Sequence, residues 1–213
     1  MFKKFINLML LVSIGWSGAV FAISPEVAQL QKEWAEIKYK TTKEDQEKKF
    51  AALVKQAADC VAAAPKDPEA LIWYGIIESS YAGAKGGLGA LAHVKNAKKT
   101  LERAIAIDPK AMDGSALTSL GSLYYQVPGW PIGFGDDAKA FEYLRQGLAL
   151  NPSGIDPNFF YGDFLFRSGD YAGAEQALKK ARQAPARLGR ELADDGRRQE
   201  IDQLLAKISE KRR

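Results

Sequence analysis

The stretch AKKTLERAIAIDP, residues 97–109, decides the fold because its spacing returns twice. Ala97, Leu101, Ala104 and Pro109 are matched by Ala140, Leu144, Gly147 and Pro152. They are matched again by Ala174, Leu178, Ala181 and, one residue early, Pro185. Small residues and Leu at three- and four-residue spacing lie on one helical face and admit a second helix to within about 8–10 Å. A hairpin built this way leaves its other face apolar, so several must stack to cover one another.

Helix starts keep the same beat. Ser24-Pro25, Asp67-Pro68 and Asp156-Pro157 each set a capping oxygen before a proline, and Asp113-Gly114 falls on the same ladder, giving intervals of 43, 46 and 43 residues. Within the units, Gly75, Gly121 and Gly162 precede Ala97, Ala140 and Ala174 by 22, 19 and 12 residues. Two connections are therefore extended, the glycine-rich Ala82–Gly89 and the aromatic Gln126–Gly135. The sequence predicts hairpins at 24–65, 67–109, 113–152 and 156–185, with a capping segment at 187–210. In that cap Leu188, Leu192, Ile201, Leu204, Leu205 and Ile208 form an apolar stripe opposite Arg197, Arg198, Glu200 and Lys207. Asp194-Asp195-Gly196 reads as a break between two helices.

Residues 1–22 are expected to be a leader rather than part of the fold. Lys3 and Lys4 precede an apolar run that ends in Val20-Phe21-Ala22, as in a cleavable secretory signal. The two lysines are the only charges in that segment, so the small formal excess of +4 falls further on cleavage and gives no ground for a nucleic-acid partner. An exported, periplasmic or secreted domain of residues 23–213 follows as the expectation. The single Cys60 allows no internal disulfide, so packing must supply the stability. It sits five residues before a proline, as Ala104 does, and reads as a helical core residue.

Gly162, Tyr171, Ala174, Leu178 and Ala181 resemble the tetratricopeptide repeat (TPR) pattern. The resemblance implies an all-α, TPR-like solenoid of about four antiparallel hairpins with a C-terminal capping helix, whose first helices line a concave groove. Counting from the three glycines, it places Ile72, Ile76 and Ser79, then Thr118, Ser122, Tyr125 and Gln126, then Phe159, Asp163, Phe166 and Arg167 toward that groove. The mixture of aromatic bodies with hydroxyls, an amide and two charges suits a peptide or a polar small molecule. A second, narrower resemblance is carried by Leu120–Tyr125, Pro128-Gly129-Trp130-Pro131 and Gly135-Asp136. These look like the periplasmic T component associated with TRAP transporters, which implies an accessory protein holding a small organic ligand.

Trp130 and Phe134, held between two prolines and three glycines, form either a clamp over the groove mouth or a plug for an apolar gap between hairpins. Asp136 or Asp137 caps the helix that follows. The Ala82–Gly89 loop lacks the GxxxxGK[ST] order and follows a helix, which argues against nucleotide binding. His93 stands alone, so neither a metal site nor another cofactor is expected. No nucleophile, base and orienting group are linked by any motif, so no catalysis is expected. The sequence thus points to a non-enzymatic adaptor that takes a protein or extended peptide in its groove. The alternative is a ligand-holding transport accessory. Neither reading involves stable membrane insertion after loss of the leader, and an oligomer is compatible with both.

Overall fold

A computed structural model describes residues 23–212, so the expected leader at 1–22 lies outside the described residues. Helices α1 (Pro25–Lys40) and α2 (Lys43–Ala63), α3 (Pro68–Lys85) and α4 (Ala90–Ile107), α5 (Ala111–Gln126) and α6 (Asp137–Leu150), and α7 (Ile155–Arg167) and α8 (Tyr171–Arg182) pair in chain order, followed by α9 (Glu191–Lys211). The fold is all-helical among the described residues, the TPR-like stack of hairpins that the spacing predicts. No described helix is long and apolar enough to cross a membrane.

One contact recurs in three of the four hairpins. A Cβ placed on Gly75 would stand 2.7 Å from Leu101 Cγ, one on Gly121 would stand 2.8 Å from Leu144 Cγ, and one on Gly162 would stand 2.8 Å from Leu178 Cγ. Each Leu therefore seats in the notch left by a missing side chain, and all three leucines are fully buried with their flanking alanines. The first hairpin departs from this scheme. Ala57 occupies the Leu position and Leu53 the preceding small one; both are buried, and α2 packs more closely on α3 than on α1. Cys60 is half-buried, and burial, with Asp67 and Glu26 adding to it, pushes its thiol up. A thiol kept protonated in this way is a poor nucleophile.

Two of the expected caps form as read. Ser24 Oγ accepts from the Val27 N–H at 3.2 Å, and Asp67 Oδ1 accepts from the Glu69 N–H at 2.9 Å. Asp136 rather than Asp137 caps α6, accepting from the Lys139 N–H at 3.1 Å. The other two depart from expectation. At α5, Met112, Asp113 and Gly114 have φ of 49°, 56° and 76°, so the chain turns through the left-handed region and the Asp113 side chain caps nothing. At α7 the N-cap is Gly154, and the Asp156 carboxylate, freed from capping, faces α9.

The closing segment is also corrected. Helix α9 runs unbroken through Asp194-Asp195-Gly196. Gly196 is small because the Tyr39 ring of α1 lies where its Cβ would be, and Asp194 is buried because it accepts from the Arg187 backbone N–H at 2.8 Å. Leu188, expected in the apolar stripe, is fully exposed, while Arg197, expected in solvent, is buried. The residues that look like a helix break are the ones that let α9 reach the first hairpin.

Replacing Leu144 by Ala should cost about 2–5 kcal/mol in urea unfolding, because the notch at Gly121 is left empty. Gly121→Ala should also destabilise, through overpacking, by about 1–3 kcal/mol. Both variants should keep the far-ultraviolet signature of helix.

Candidate functional site

Helices α1, α3, α5 and α7 lie side by side, each touching the next, and α9 touches both α7 and α1. The concave face is therefore closed into a ring of five helices rather than left as an open groove. Inside it is a cavity of about 970 Å³. Its wall carries the hydroxyls of Ser79, Ser80, Ser115, Thr118, Ser119 and Ser122, with Trp34, Trp73, Phe159 and Phe160 supplying aromatic faces. Hydroxyls concentrate there because Ser115, Thr118, Ser119 and Ser122 recur at three- and four-residue spacing on the inner face of α5, and Ser79 and Ser80 stand on that of α3.

The closure is electrostatic. The Asp156 carboxylate accepts from Arg197 Nε at 2.9 Å through one oxygen and from Arg187 Nη1 at 2.7 Å through the other. Asp194 accepts from Arg187 Nε at 2.8 Å, and Glu200 accepts from Arg197 Nη1 at 2.6 Å. Glu200 in turn lies 3.6 Å from Lys38 and accepts from Tyr39 Oη at 3.4 Å, both on α1. The Arg197 guanidinium also lies 4.3 Å and 4.8 Å from the ring centres of Phe159 and Phe160. Burial favours the neutral acid at Asp156, yet the Arg197 and Arg187 guanidiniums outweigh it and hold the carboxyl well below the usual range. Burial pushes the Tyr39 phenol well up, so it stays a donor.

Of the residues predicted from sequence, Thr118, Ser122, Gln126, Phe159 and Asp163 line the cavity, as do Ile76 and Ser79, whereas Ile72 is buried in the core. Tyr125, Phe166 and Arg167 do not line it. Tyr125 Oη donates to Asp163 Oδ2 at 2.8 Å, and Arg167 Nε donates to the same oxygen at 3.2 Å while its guanidinium covers the Tyr125 ring at 5.2 Å. These three residues brace α5 against α7. Burial, reinforced by Asp163, pushes the Tyr125 phenol well above its ordinary value and keeps the brace protonated. Phe166 packs on Tyr171 within the last hairpin.

The Pro128–Gly135 loop turns away from the cavity, and neither Trp130 nor Phe134 lines it. Trp130 is 90% exposed, which makes it neither a clamp on the cavity nor a plug. Phe134 does the sealing, edge-on to Tyr124 at 5.6 Å. His93 joins a network between α3 and α4: its Nδ1 lies 2.7 Å from Glu78, which also accepts from Asn96 at 2.7 Å.

Sequence reasoning missed Gln31, Trp34, Trp73 and the arginines 187, 190 and 197. The α1 residues belong to the hairpin that matches the repeat least, and the arginines sit in a charged run that reads as solvated. The one available signal was Gly196, a residue unfavourable in a helix interior unless another group must come close.

No family model matches the chain, and neither does any curated protein. Among solved structures it is similar to two crystal structures of MamA, with TM-scores of 0.44 at 20% and 19% identity. These matches cover 80% and 88% of this chain and 92% and 93% of those chains. It is also similar to TTC0263, a thermophilic TPR protein in Thermus thermophilus, with a TM-score of 0.40 at 15% identity over 82% of this chain and 98% of that one.

Asp156→Asn should lower stability by about 3 kcal/mol at neutral pH, since two guanidiniums lose their shared carboxylate. Because the folded pKa is depressed, the parent's advantage is complete above about pH 5 and fades as pH falls below about 3.9. Paired melting curves from pH 7 to pH 2 would show the gap narrow progressively.

Proposed function

We propose that this protein is an exported, non-enzymatic binding protein that holds a small organic molecule inside its five-helix ring. The observation that carries the reading is the closure by α9. A concave face left open would accept a long peptide, whereas one bridged by α9 accepts what fits about 970 Å³. That volume lies at the upper end of the roughly 300–1,000 Å³ of small-molecule sites. Aromatic faces would bury an apolar body, and the serine and threonine hydroxyls would orient polar substituents. The leader expected at 1–22 supports export, and the role suits a transport accessory better than an adaptor with an open groove.

A separate observation favours a protein contact on the outside. Leu88, Trp130 and Ile132 are 82%, 90% and 57% exposed, and they lie on the two extended connections within hairpins, where large apolar side chains have no packing role. In this second reading the rim of the ring, not its centre, meets a protein partner.

Native mass spectrometry of protein purified from the exported fraction should show a bound small molecule. Ser122→Trp, which fills the cavity from α5, should abolish that mass shift while the helical signal is retained. An empty parent protein would remove the reading. For the rim, Trp130→Ala should leave the melting temperature within about a degree and reduce recovery of a co-purifying protein.

A further inference from the structure

Three buried N–H groups in the cavity wall have no acceptor among the described residues: Gln31 Nε2, Trp73 Nε1 and Arg190 Nε. Gln31 and Trp73 are themselves 6% and 3% exposed. The three form one cluster where α1, α3 and the start of α9 meet. Arg190 Nη1 donates to Gln31 Oε1 at 3.2 Å, and the Arg190 guanidinium lies 5.0 Å from the Trp73 ring centre. A buried donor without an acceptor is costly, about 1–3 kcal/mol each, so three together in a cavity wall call for a common explanation. The neighbouring indole makes the contrast: Trp34 Nε1 donates to Ser80 Oγ at 2.8 Å.

The charges around the cluster point the same way. The cavity wall also carries Lys43, Glu69, Asp113 and Asp163, while beside the cluster Lys38, Arg187, Arg190 and Arg197 stand with three carboxylates, Asp156, Asp194 and Glu200. Those three are taken by Lys38, Arg187 and Arg197, and Arg190 forms no ion pair among the described residues. Burial, and then the charge of Arg187, lower the pKa of Arg190 against the opposing pull of Asp156 and Asp194, so the guanidinium is a buried cation with no carboxylate in contact among the described residues.

We propose that Gln31, Trp73 and Arg190 anchor a carboxylate of the molecule held in the ring. The inference rests on the ligand-holding reading of the cavity and adds the chemical class of what it holds: an organic acid whose carboxylate meets the guanidinium and the two N–H donors while its apolar body lies along the aromatic wall. A planar guanidinium with adjacent N–H donors matches the two oxygens of a carboxylate better than a neutral amide or an alcohol. The acid can belong to a free small molecule or to the C-terminus of a short peptide, and the two sources share this recognition.

The test uses matched acid and amide probes on the full-length protein: phenylacetate with phenylacetamide, hexanoate with hexanamide, and a tripeptide with free or amidated C-terminus. At least one acid should bind ten-fold or more tightly than its amide by calorimetry, and the identity of that pair separates the small-molecule from the peptide source. Arg190→Gln should remove the preference and leave the melting temperature unchanged or higher, because the variant discards an unpaired charge. Arg190→Lys should retain part of the preference, and the Trp73 indole N–H resonance, assigned with Trp73→Phe, should move on adding the acid and not the amide. Equal affinity for acid and amide in every pair would overturn the anchor while leaving the cavity reading intact. No binding by any probe, with no mass shift in the protein as purified, would overturn both.

Discussion

The structure depends on a leucine fitting where a side chain is missing. At Gly75, Gly121 and Gly162 the inner helix offers bare backbone, and Leu101, Leu144 and Leu178 of the outer helix fill the space. The fit sets how closely the two helices of a hairpin approach, and so how far each hairpin turns relative to the last. Buried small residues above and below each leucine, alanines except for Gly147, keep the approach uniform. Curvature accumulates from this repeated local geometry.

Curvature alone gives a crescent. The ring comes from a second, quite different set of forces at the C-terminus, where Arg187 and Arg197 share Asp156, and Glu200 reaches Lys38 and Tyr39. An isolated buried ion pair is weak support for a fold, since desolvation offsets much of the attraction. Here the arrangement is better satisfied: each carboxylate has more than one donor, and Arg197 is flanked by two phenylalanine rings. Its role is positional. It fixes which face of α9 meets α7 and which meets α1.

The hairpins were legible because their signal is local and periodic: a small residue, a leucine and a proline at fixed offsets within one helix. The caps at Ser24 and Asp67 were legible for the same reason. Asp156 was not, because Asp-Pro at a helix start is a capping pattern, and only the distant Arg187 and Arg197 turn its carboxylate to another use. Leu188 is exposed because it lies in the turn before α9, and Arg197 is buried because an apolar stripe records which face is covered only when one partner covers the helix. Helix α9 has three partners, α1, α7 and α8, and one of those interfaces is ionic. Among candidate cavity residues, those on α5 and α7 follow from repeat geometry. Gln31 and Trp73 gain their significance from Arg190, a contact across 159 residues of sequence that no local pattern encodes.

Joining the last helix to the first also limits how such a molecule can change. An open array tolerates gain or loss of a repeat, because each unit answers only to its neighbours. In this chain a fifth hairpin would carry α9 past Tyr39, and a missing one would leave it short. The number of repeats is thereby locked by arc length, and damage at either terminus is felt at the opposite one. Lineages carrying this architecture should diversify by altering side chains on the inner wall, with duplication of whole units selected against.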